Sequence, residues 1–136
     1  MVSDLDSAED YTVGAYVTAF NSSGFSVGTG TGSNGNGATY VGWQWKANGS
    51  GSSNTAGSIT STVSANTTSG FSIVTYTGNG SAGATVGHGL GVAPKMLIVK
   101  NRVQGTYGNW NVWHTAITGS QYLSLNLTDA VSTNNN

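Results

Sequence analysis

The sequence predicts an all-β protein, an antiparallel β-sandwich or jelly roll of about eight short strands. The main signal is the alternation of apolar and polar residues with a period of two, which is typical of half-buried strands. Turn signals separate the alternating stretches at intervals of about ten residues. The third observation is composition: 21 Gly, 18 Ser, 18 Thr and 14 Asn residues make up 71 of the 136 positions. These residues are poor or mediocre helix formers, so a helical bundle is disfavoured.

Two strands in the first third of the chain show the alternation clearly. Within residues 11–20, the apolar side chains at every second position from Val13 to Ala19 share one face. Within residues 39–45, Val41, Trp43 and Trp45 share a face in the same way. Weaker signals predict short strands at residues 25–27 and 58–63.

Four further strands are predicted in the second half. Residues 71–76 are rich in the β-branched and aromatic side chains that suit pleated surfaces. Residues 95–100 are nearly continuously apolar, which is expected where both faces of a strand are covered. Residues 109–114 follow, and residues 122–127 alternate three leucines with polar residues.

Glycine-rich stretches lie between these strands. Residues 28–37 and 48–57 are dominated by Gly, Ser, Thr and Asn, and glycine supplies the positive φ angles that tight hairpins need. The second stretch is also compatible with a flexible connector. Pro94 precedes the strand at 95–100, where its missing N–H costs no strand pairing.

An internal sequence similarity, which we call the internal echo, suggests that a hairpin was duplicated. Residues 23–39 and 69–85 align without a gap at an offset of 46 positions, with ten identities among seventeen. A chain so rich in a few residue types would match at about a quarter of positions by composition alone. Duplication and shared composition both remain open on the sequence.

The domain organisation that we predict is simple. Residues 11–129 form one β-sandwich domain, preceded by an acidic segment at 1–10 and followed by a polar tail at 130–136. There is no cysteine, so disulfides and thiolate metal sites are excluded. No apolar run of about 18 residues is present, and membrane insertion is not expected.

Charge is scarce and unevenly distributed. Only 7% of residues are charged, and the net charge is −1. With four cations in the whole chain, nucleic acid is not an expected partner. Four of the five acids lie at the start, at Asp4, Asp6, Glu9 and Asp10. They are either a solvated terminus or a calcium or partner site, and the glycine and terminal acid of a calcium loop are missing.

The sequence does not predict catalysis. His88 and His114 are the only candidate bases for a nucleophile, and Asp129 is the only acid beyond Asp10. The sequence therefore predicts neither a carboxylate pair for glycoside hydrolysis nor a set of zinc ligands. We expect no enzyme, no catalytic residues, no cofactor and no metal. For His88 the favoured interpretation is a turn in which its ring hydrogen-bonds the backbone and the side chains of Leu90 and Val92 are buried in the core. The alternative is a site at which the glycines around the imidazole let a ligand approach the backbone closely.

The aromatic residues are better candidates for a binding function. Trp43 and Trp45 share a predicted strand face, as a sandwich core would require. Trp110 and Trp113 are three positions apart and face opposite ways, so one of them is exposed or buried in a subunit contact. Core packing is the favoured interpretation of the aromatic group as a whole. The candidates for a subunit interface or a glycan contact are Tyr107, Trp110, Trp113 and His114.

Three stretches carry a resemblance to a known group of proteins. They are residues 57–66 (GSITSTVSAN), residues 70–78 (GFSIVTYTG) and residues 86–95 (VGHGLGVAPK). With the Trp-x-Trp-Lys-Ala strand ending at Ala47 and the NWNVWH strand ending at His114, they resemble an uncharacterised β-rich domain of marine and cyanobacterial bacteriophage virion proteins. Such domains occur in tail-fibre-like chains related to concanavalin A-like sandwiches.

The resemblance covers residues 20–129, with one departure. In that family a piece like residues 122–130 usually precedes a piece like residues 21–28, whereas here they stand at opposite ends. The chain is either one window of a longer tandem protein or a short form that closes its sandwich differently. No catalytic residue is carried over from the family.

The resemblance implies a virion structural protein, in a tail fibre or as a surface decoration component, located in the virion. Its expected partners are identical subunits and other virion proteins, and it self-assembles through its β-sandwich. One alternative is a carbohydrate-binding module that recognises host surface glycans. The other is a subunit of a non-viral extracellular filament.

Overall fold

The structure, a computed structural model, describes residue 14, residues 16–103 and residues 108–133. The predicted all-β antiparallel fold class is confirmed, since the described residues form nine strands in three antiparallel sheets. The strands are β1 Val17–Asn21, β2 Gly24–Val27, β3 Ser52–Asn54, β4 Ser61–Asn66, β5 Phe71–Tyr76, β6 Met96–Lys100, β7 Trp110–His114, β8 Gln121–Ser124 and β9 Ser132–Thr133. A single helical turn, α1, spans Thr31–Asn34.

The chain divides into two compact units. The second unit is the continuous segment Trp43–Lys95, and the first unit takes the described residues on either side of it, up to Gly42 and from Met96 onward. The first unit contains the two-stranded sheet β1-β2 and the four-stranded sheet β6-β7-β8-β9. The second unit contains the three-stranded sheet β3-β4-β5. No helix among the described residues has the length and apolar character needed to cross a membrane.

Strand β4 is the centre of the second unit. It pairs with β3 on one side and with β5 on the other, with Val63 opposite Val74 in the β4–β5 register. Consecutive residues of a strand point to opposite faces, and yet Val63 and Ser64 are both buried, as is Ser61. Both faces of β4 are therefore covered within this unit.

The loop at residues 87–90 covers one face of β4. The Ser61 hydroxyl donates to the Gly87 carbonyl at 3.3 Å, and the Ser72 hydroxyl donates to the His88 carbonyl at 2.6 Å. Leu90 follows and is buried, being 9% exposed. A Cβ at Gly89, where φ is +71°, would lie 3.0 Å from Val63 Cγ1 and 3.1 Å from Ala65 Cβ. Glycine thus permits both the turn and the close approach of the loop to the strand.

A short parallel contact joins the chain segment before β4 to the segment after β5. The Ser58 N–H donates to Thr85 Oγ1 at 2.9 Å, and the Thr85 N–H donates to Ser58 Oγ at 2.8 Å. An isolated parallel bridge joins Ile59 and Val86 just beyond this pair. A Cβ at Gly57 would lie 2.4 Å from the Thr85 carbonyl oxygen, so the two backbones meet at a distance that only glycine allows.

In the first unit, β1 and β2 form a hairpin whose side chains are exposed on both faces. Phe20 pairs with Phe25, and the register shifts between Val17 and Ala19. A two-stranded hairpin by itself is at best marginally stable in water.

The four-stranded sheet of the first unit runs in sequence order from β6 to β9. Met96 to Lys100 pair with His114 to Trp110, which puts Ile98 opposite Val112. Val112 in turn pairs with Leu123 of β8. Val112 lies between two apolar neighbours on one face and is the buried hydrophobic residue of this sheet, at 7% exposed.

Several predicted elements differ from the structure. Residues 39–45 are not paired as a strand, although they alternate. The glycine-rich stretch 28–37 contains α1, and the stretch 48–57 contains β3. Of the strand predicted at 11–20, the part from Val17 is present, and residues 11–13 and 15 lie outside the described residues. The expectation that both faces of the strand at 95–100 are covered is wrong for the single chain, because Met96, Leu97 and Ile98 are exposed.

The internal echo extends to the geometry. In each copy a Gly-Phe-Ser sequence stands at the start of the second strand of a hairpin: Gly24 opens β2, and Gly70 immediately precedes β5. Further along, the Ala38 N–H donates to the Gly35 carbonyl at 3.1 Å, and the Ala84 N–H donates to the Ser81 carbonyl at 3.2 Å. The glycine before each alanine has the same φ of +75°. Shared composition does not place the same turn at the same offset, so the geometry favours duplication.

Candidate functional site

The predicted contact residues do not form one cluster. Trp110, Trp113 and His114 all lie on β7, whereas Tyr107 lies outside the described residues. Trp110 pairs with Lys100, and Trp113 pairs with Leu97. Because these positions are an odd number apart along the strand, the two indoles lie on opposite faces of the sheet, as the sequence predicted.

Each of the two tryptophans is half-buried and tied to a neighbour in the sheet. The backbone N–H of Trp110 donates to Asn126 Oδ1 at 2.9 Å, and the Asn126 side-chain amide in turn donates to Asn109 Oδ1 at 2.9 Å. The Trp113 ring lies 6.1 Å from the ring of Tyr122 on β8, tilted by 40°. These contacts hold β7 to the residues of β8 and its C-terminal extension.

His114 ends β7 and is exposed. Its Nδ1 accepts the Ala116 N–H at 3.0 Å, and the Ile117 N–H donates to the His114 carbonyl at 3.0 Å. The imidazole therefore caps the turn that follows the strand. Within the part of the chain that the structure describes, no group of three or more His, Cys, Asp or Glu residues is placed to hold a metal ion. Asp4, Asp6, Glu9 and Asp10 lie outside those residues.

The favoured interpretation of His88 is confirmed for the ring and for Leu90. The Leu90 N–H donates to His88 Nδ1 at 3.1 Å, and Leu90 is buried. The expectation that Val92 also plugs the core is wrong, because Val92 is 70% exposed. The glycine-rich His88 segment thus acts as a structural cover over β4.

The most exposed apolar strand of the four-stranded sheet is its edge strand, β6. Met96 is 54% exposed, Leu97 is 51% exposed and Ile98 is 42% exposed. Consecutive residues point to opposite faces, so apolar side chains meet solvent on both faces of this strand. β6 pairs with β7 on one side, and no strand among the described residues pairs with its other edge. An edge of this kind is a template for pairing with another chain.

The expectation that Trp43 and Trp45 belong to a core is wrong. Trp43 is 72% exposed and Trp45 is 61% exposed. Their rings lie 6.4 Å apart and nearly perpendicular, at 82°. The Trp45 ring stacks on Phe71 of β5, with centroids 5.6 Å apart and planes 11° from parallel. The two indoles are therefore a solvent-facing aromatic corner, which we call the Trp43–Trp45 corner.

The backbone after the corner is anchored to β4 although it makes no strand. The Lys46 carbonyl accepts the Asn66 side-chain amide at 3.3 Å and the Ser69 hydroxyl at 3.4 Å. The Asn48 N–H donates to Ser64 Oγ at 2.9 Å. The Ser64 hydroxyl itself donates to the Gly49 carbonyl at 2.8 Å. The period-two alternation correctly predicts that Trp43 and Trp45 lie close together. It does not show that the face they share is exposed to water.

Comparison with known proteins identifies one family. No curated protein and no solved structure matches the sequence significantly. A family model described as a domain of unknown function, DUF7483, matches residues 1–136. Since that match covers all 136 residues of the sequence, the chain belongs to the DUF7483 family.

Proposed function

We propose that the protein is a self-assembling structural subunit and that it serves in a bacteriophage particle, in a tail fibre or as a surface decoration component. The observation that carries self-assembly is the exposed apolar edge strand β6. The phage setting is supported by the sequence resemblance alone, above all by the His-Gly-Leu-Gly segment that begins at His88. Its partners are then identical copies and other virion proteins.

The physical reason is the hydrophobic effect. Removing apolar surface from water is favourable by about 25 cal/mol for each Å² buried. Met96, Leu97 and Ile98 keep much of their surface in water in the single chain. A strand that adds to the open edge of β6 covers these side chains and also satisfies the backbone groups of that edge.

A second copy of the same strand is a suitable partner. In an antiparallel pair centred on Ile98, the Ile98 side chains of the two copies meet, Leu97 faces Val99, and Met96 faces Lys100. No lysine of one copy then faces a lysine of the other, which avoids the repulsion between like charges directly across a strand pair. Such a contact is isologous, with the same surface on both copies. The net charge of −1 adds little repulsion.

Light scattering coupled to size-exclusion chromatography tests the assembly. The wild-type protein is expected to elute as an oligomer, and Ile98→Asp is expected to elute as a monomer because a carboxylate would be buried at the centre of the pair. Ile73→Asp is the matched control. Ile73 lies on β5, is also half exposed, at 50%, and belongs to the other unit. A monomeric wild type, or equal loss of assembly in both variants, would contradict the role of β6.

The phage setting needs its own measurement. Particles of the phage that encodes the chain are purified and analysed by quantitative mass spectrometry. We expect the protein in many copies per particle. Finding it instead in cell-derived filaments, with none in particles, would favour the non-viral filament subunit and overturn the phage assignment.

A further inference from the structure

The exposure of the Trp43–Trp45 corner is not explained by assembly through β6, because the corner belongs to the second unit and β6 to the first. Four tryptophans are present in the chain, and the two at the corner are mostly in water although large aromatic side chains have much to gain from burial. Phe71 covers one face of the Trp45 ring, and the 61% exposure of Trp45 leaves its other surface accessible. Trp43 stands beside it as a second wall at nearly a right angle.

The corner is held in place before any ligand arrives. Lys46, the residue after Trp45, has its carbonyl fixed by Asn66 and Ser69. Asn66 Oδ1 also accepts the Ser69 N–H at 3.1 Å, so the turn that supplies these donors is itself closed. A side chain that is fixed in advance loses little conformational entropy on binding, and rigid aromatic residues are for that reason effective contact groups.

An open groove adjoins the corner. It has a volume of about 590 Å³ and is lined by residues 46–48 and 65–69. The groove begins at the residue after Trp45, and Asn66 of its opposite wall pairs with Phe71, on which Trp45 stacks. The lining offers threonine hydroxyls at Thr67 and Thr68, side-chain amides and one cation, Lys46, with no acidic residue.

This combination of groups selects a class of ligand. A pyranose ring has an apolar face of C–H groups that stacks on an indole, and hydroxyl groups around its rim that bind amides and hydroxyls. A wholly apolar ligand would leave the polar groove unsatisfied. A nucleic acid would need far more positive charge than one lysine provides.

We propose that the Trp43–Trp45 corner and its groove form a polysaccharide-binding site. One pyranose stacks on the accessible face of Trp45 with its edge against Trp43. The following sugars lie along the groove, where Thr67, Thr68 and Asn48 meet their hydroxyl groups. Lys46 gives an additional contact when a sugar carries a carboxylate. The site belongs to the second unit, whereas the glycan contact predicted from the sequence includes β7 of the first unit, and the site does not depend on assembly through β6.

Affinity electrophoresis in native gels tests the site with the full chain. The gels contain laminarin, galactomannan or xylan as neutral polysaccharides, and alginate or polygalacturonate as acidic ones. At least one of the five is expected to retard the wild-type protein. Trp45→Ala should weaken that binding by about tenfold or more, as an aromatic anchor of a binding site does.

Three variants complete the test. Phe20→Ala is the matched control, because Phe20 is an exposed aromatic residue of the first unit, at 90%, and its loss should leave the retardation unchanged. Thr68→Leu narrows the groove without adding charge or touching the stacked rings and should also abolish binding, which guards against a folding defect in Trp45→Ala. Lys46→Gln should weaken retardation by the acidic polysaccharides and leave that by the neutral ones intact.

The outcomes divide clearly. Retardation that Trp45→Ala and Thr68→Leu both remove, with far-UV circular dichroism unchanged, supports the site. Retardation by none of the five polysaccharides overturns it. Retardation that survives Trp45→Ala but is lost in Trp110→Ala places sugar binding on β7 and overturns it as well. If Trp45→Ala instead lowers the oligomer mass and no polysaccharide binds, the corner is an assembly contact.

Discussion

Gly89 shows how a single residue decides whether the loop at 87–90 can cover β4. It combines a positive φ with a position directly against Val63 and Ala65. Gly91, two residues later, has nearly the same φ, +73°, but has open space where a side chain would go. Comparing the same substitution at the two glycines therefore separates the energetic cost of the left-handed backbone angle from the cost of steric crowding.

The corresponding prediction compares Gly89→Ala with Gly91→Ala. A left-handed backbone angle costs a non-glycine residue about 1 to 2 kcal/mol, which both variants should lose from the free energy of unfolding. Gly89→Ala should lose about 1 to 3 kcal/mol more, because its methyl group would crowd Val63 and Ala65. Urea unfolding followed by circular dichroism measures both. Equal losses would mean that the loop does not press on β4.

Residue by residue, the sequence predicted local hydrogen bonding better than exposure. The turn in which His88 accepts the Leu90 N–H follows from chain-local geometry, and the structure has it. Val92 and Trp45 were assigned to a core because apolar residues favour burial. Whether a given side chain is covered depends on what else folds over it, and that information lies at distant positions in the chain.

Among the elements, β4 organises the second unit because it holds chain segments on both of its faces. The loop at 87–90 lies on the face of Val63, and the segment at 46–49 is bound through Ser64 and Asn66. Ser64 both accepts from the Asn48 N–H and donates to the Gly49 carbonyl. One hydroxyl thus replaces the strand pairing that residues 46–49 lack.

Replacing this hydroxyl should loosen the segment. Ser64→Ala removes both hydrogen bonds and should lower the free energy of unfolding by about 1 to 3 kcal/mol, since a buried polar contact is lost. Amide exchange at Asn48 should also become faster, because its N–H loses its acceptor. Hydrogen–deuterium exchange measures this directly. Ser53→Ala, on exposed β3, is the control and should leave exchange at Asn48 as it is.

A second prediction at this scale concerns Val112. It is the buried hydrophobic residue of the four-stranded sheet, packed in register between Ile98 and Leu123. Val112→Ala should destabilise the protein by about 1 to 3 kcal/mol through lost burial and the cavity left behind. Thermal unfolding against the wild type measures the loss. A variant as stable as the wild type would show that Ile98 and Leu123 close over the gap.

Strand prediction succeeded where a run of apolar, β-branched or aromatic residues coincided with backbone pairing. Residues 71–76 were predicted with the bounds that β5 has, and residues 95–100 and 109–114 differ from β6 and β7 by one position. The strand predicted at residues 39–45 is absent, because alternation describes a side-chain pattern and does not by itself specify the ladder of backbone pairing that makes a strand. β3 and β9 are two or three residues long and rich in Ser, so their sequences carry almost no apolar signal.

For the whole molecule, the small number of charges determines how assembly should respond to salt. Charged residues are 7% of the chain, and the apolar residues of β6 carry the proposed contact. Screening weakens charge–charge attraction, whereas apolar burial does not depend on it. The proposed contact is therefore of the kind that salt leaves intact.

We accordingly expect the oligomer mass to stay the same when NaCl is raised from about 0.01 to about 1 M, a range over which the screening length falls about tenfold. Analytical ultracentrifugation across this range provides the measurement. Dissociation at high salt would indicate that Lys95 and Lys100, which flank the apolar residues of β6, bind acidic groups of the neighbouring copy instead.

The division into a continuous unit and an interrupted one has a consequence for synthesis. All of the second unit lies between Trp43 and Lys95, so every contact within it is available once Lys95 has left the ribosome. The first unit takes residues from both sides of that segment, and its four-stranded sheet begins only at Met96. Domains generally fold as units during translation. The sheet around β4 should therefore be complete on the nascent chain while β6, the edge proposed to recruit other copies, is still inside the ribosomal tunnel.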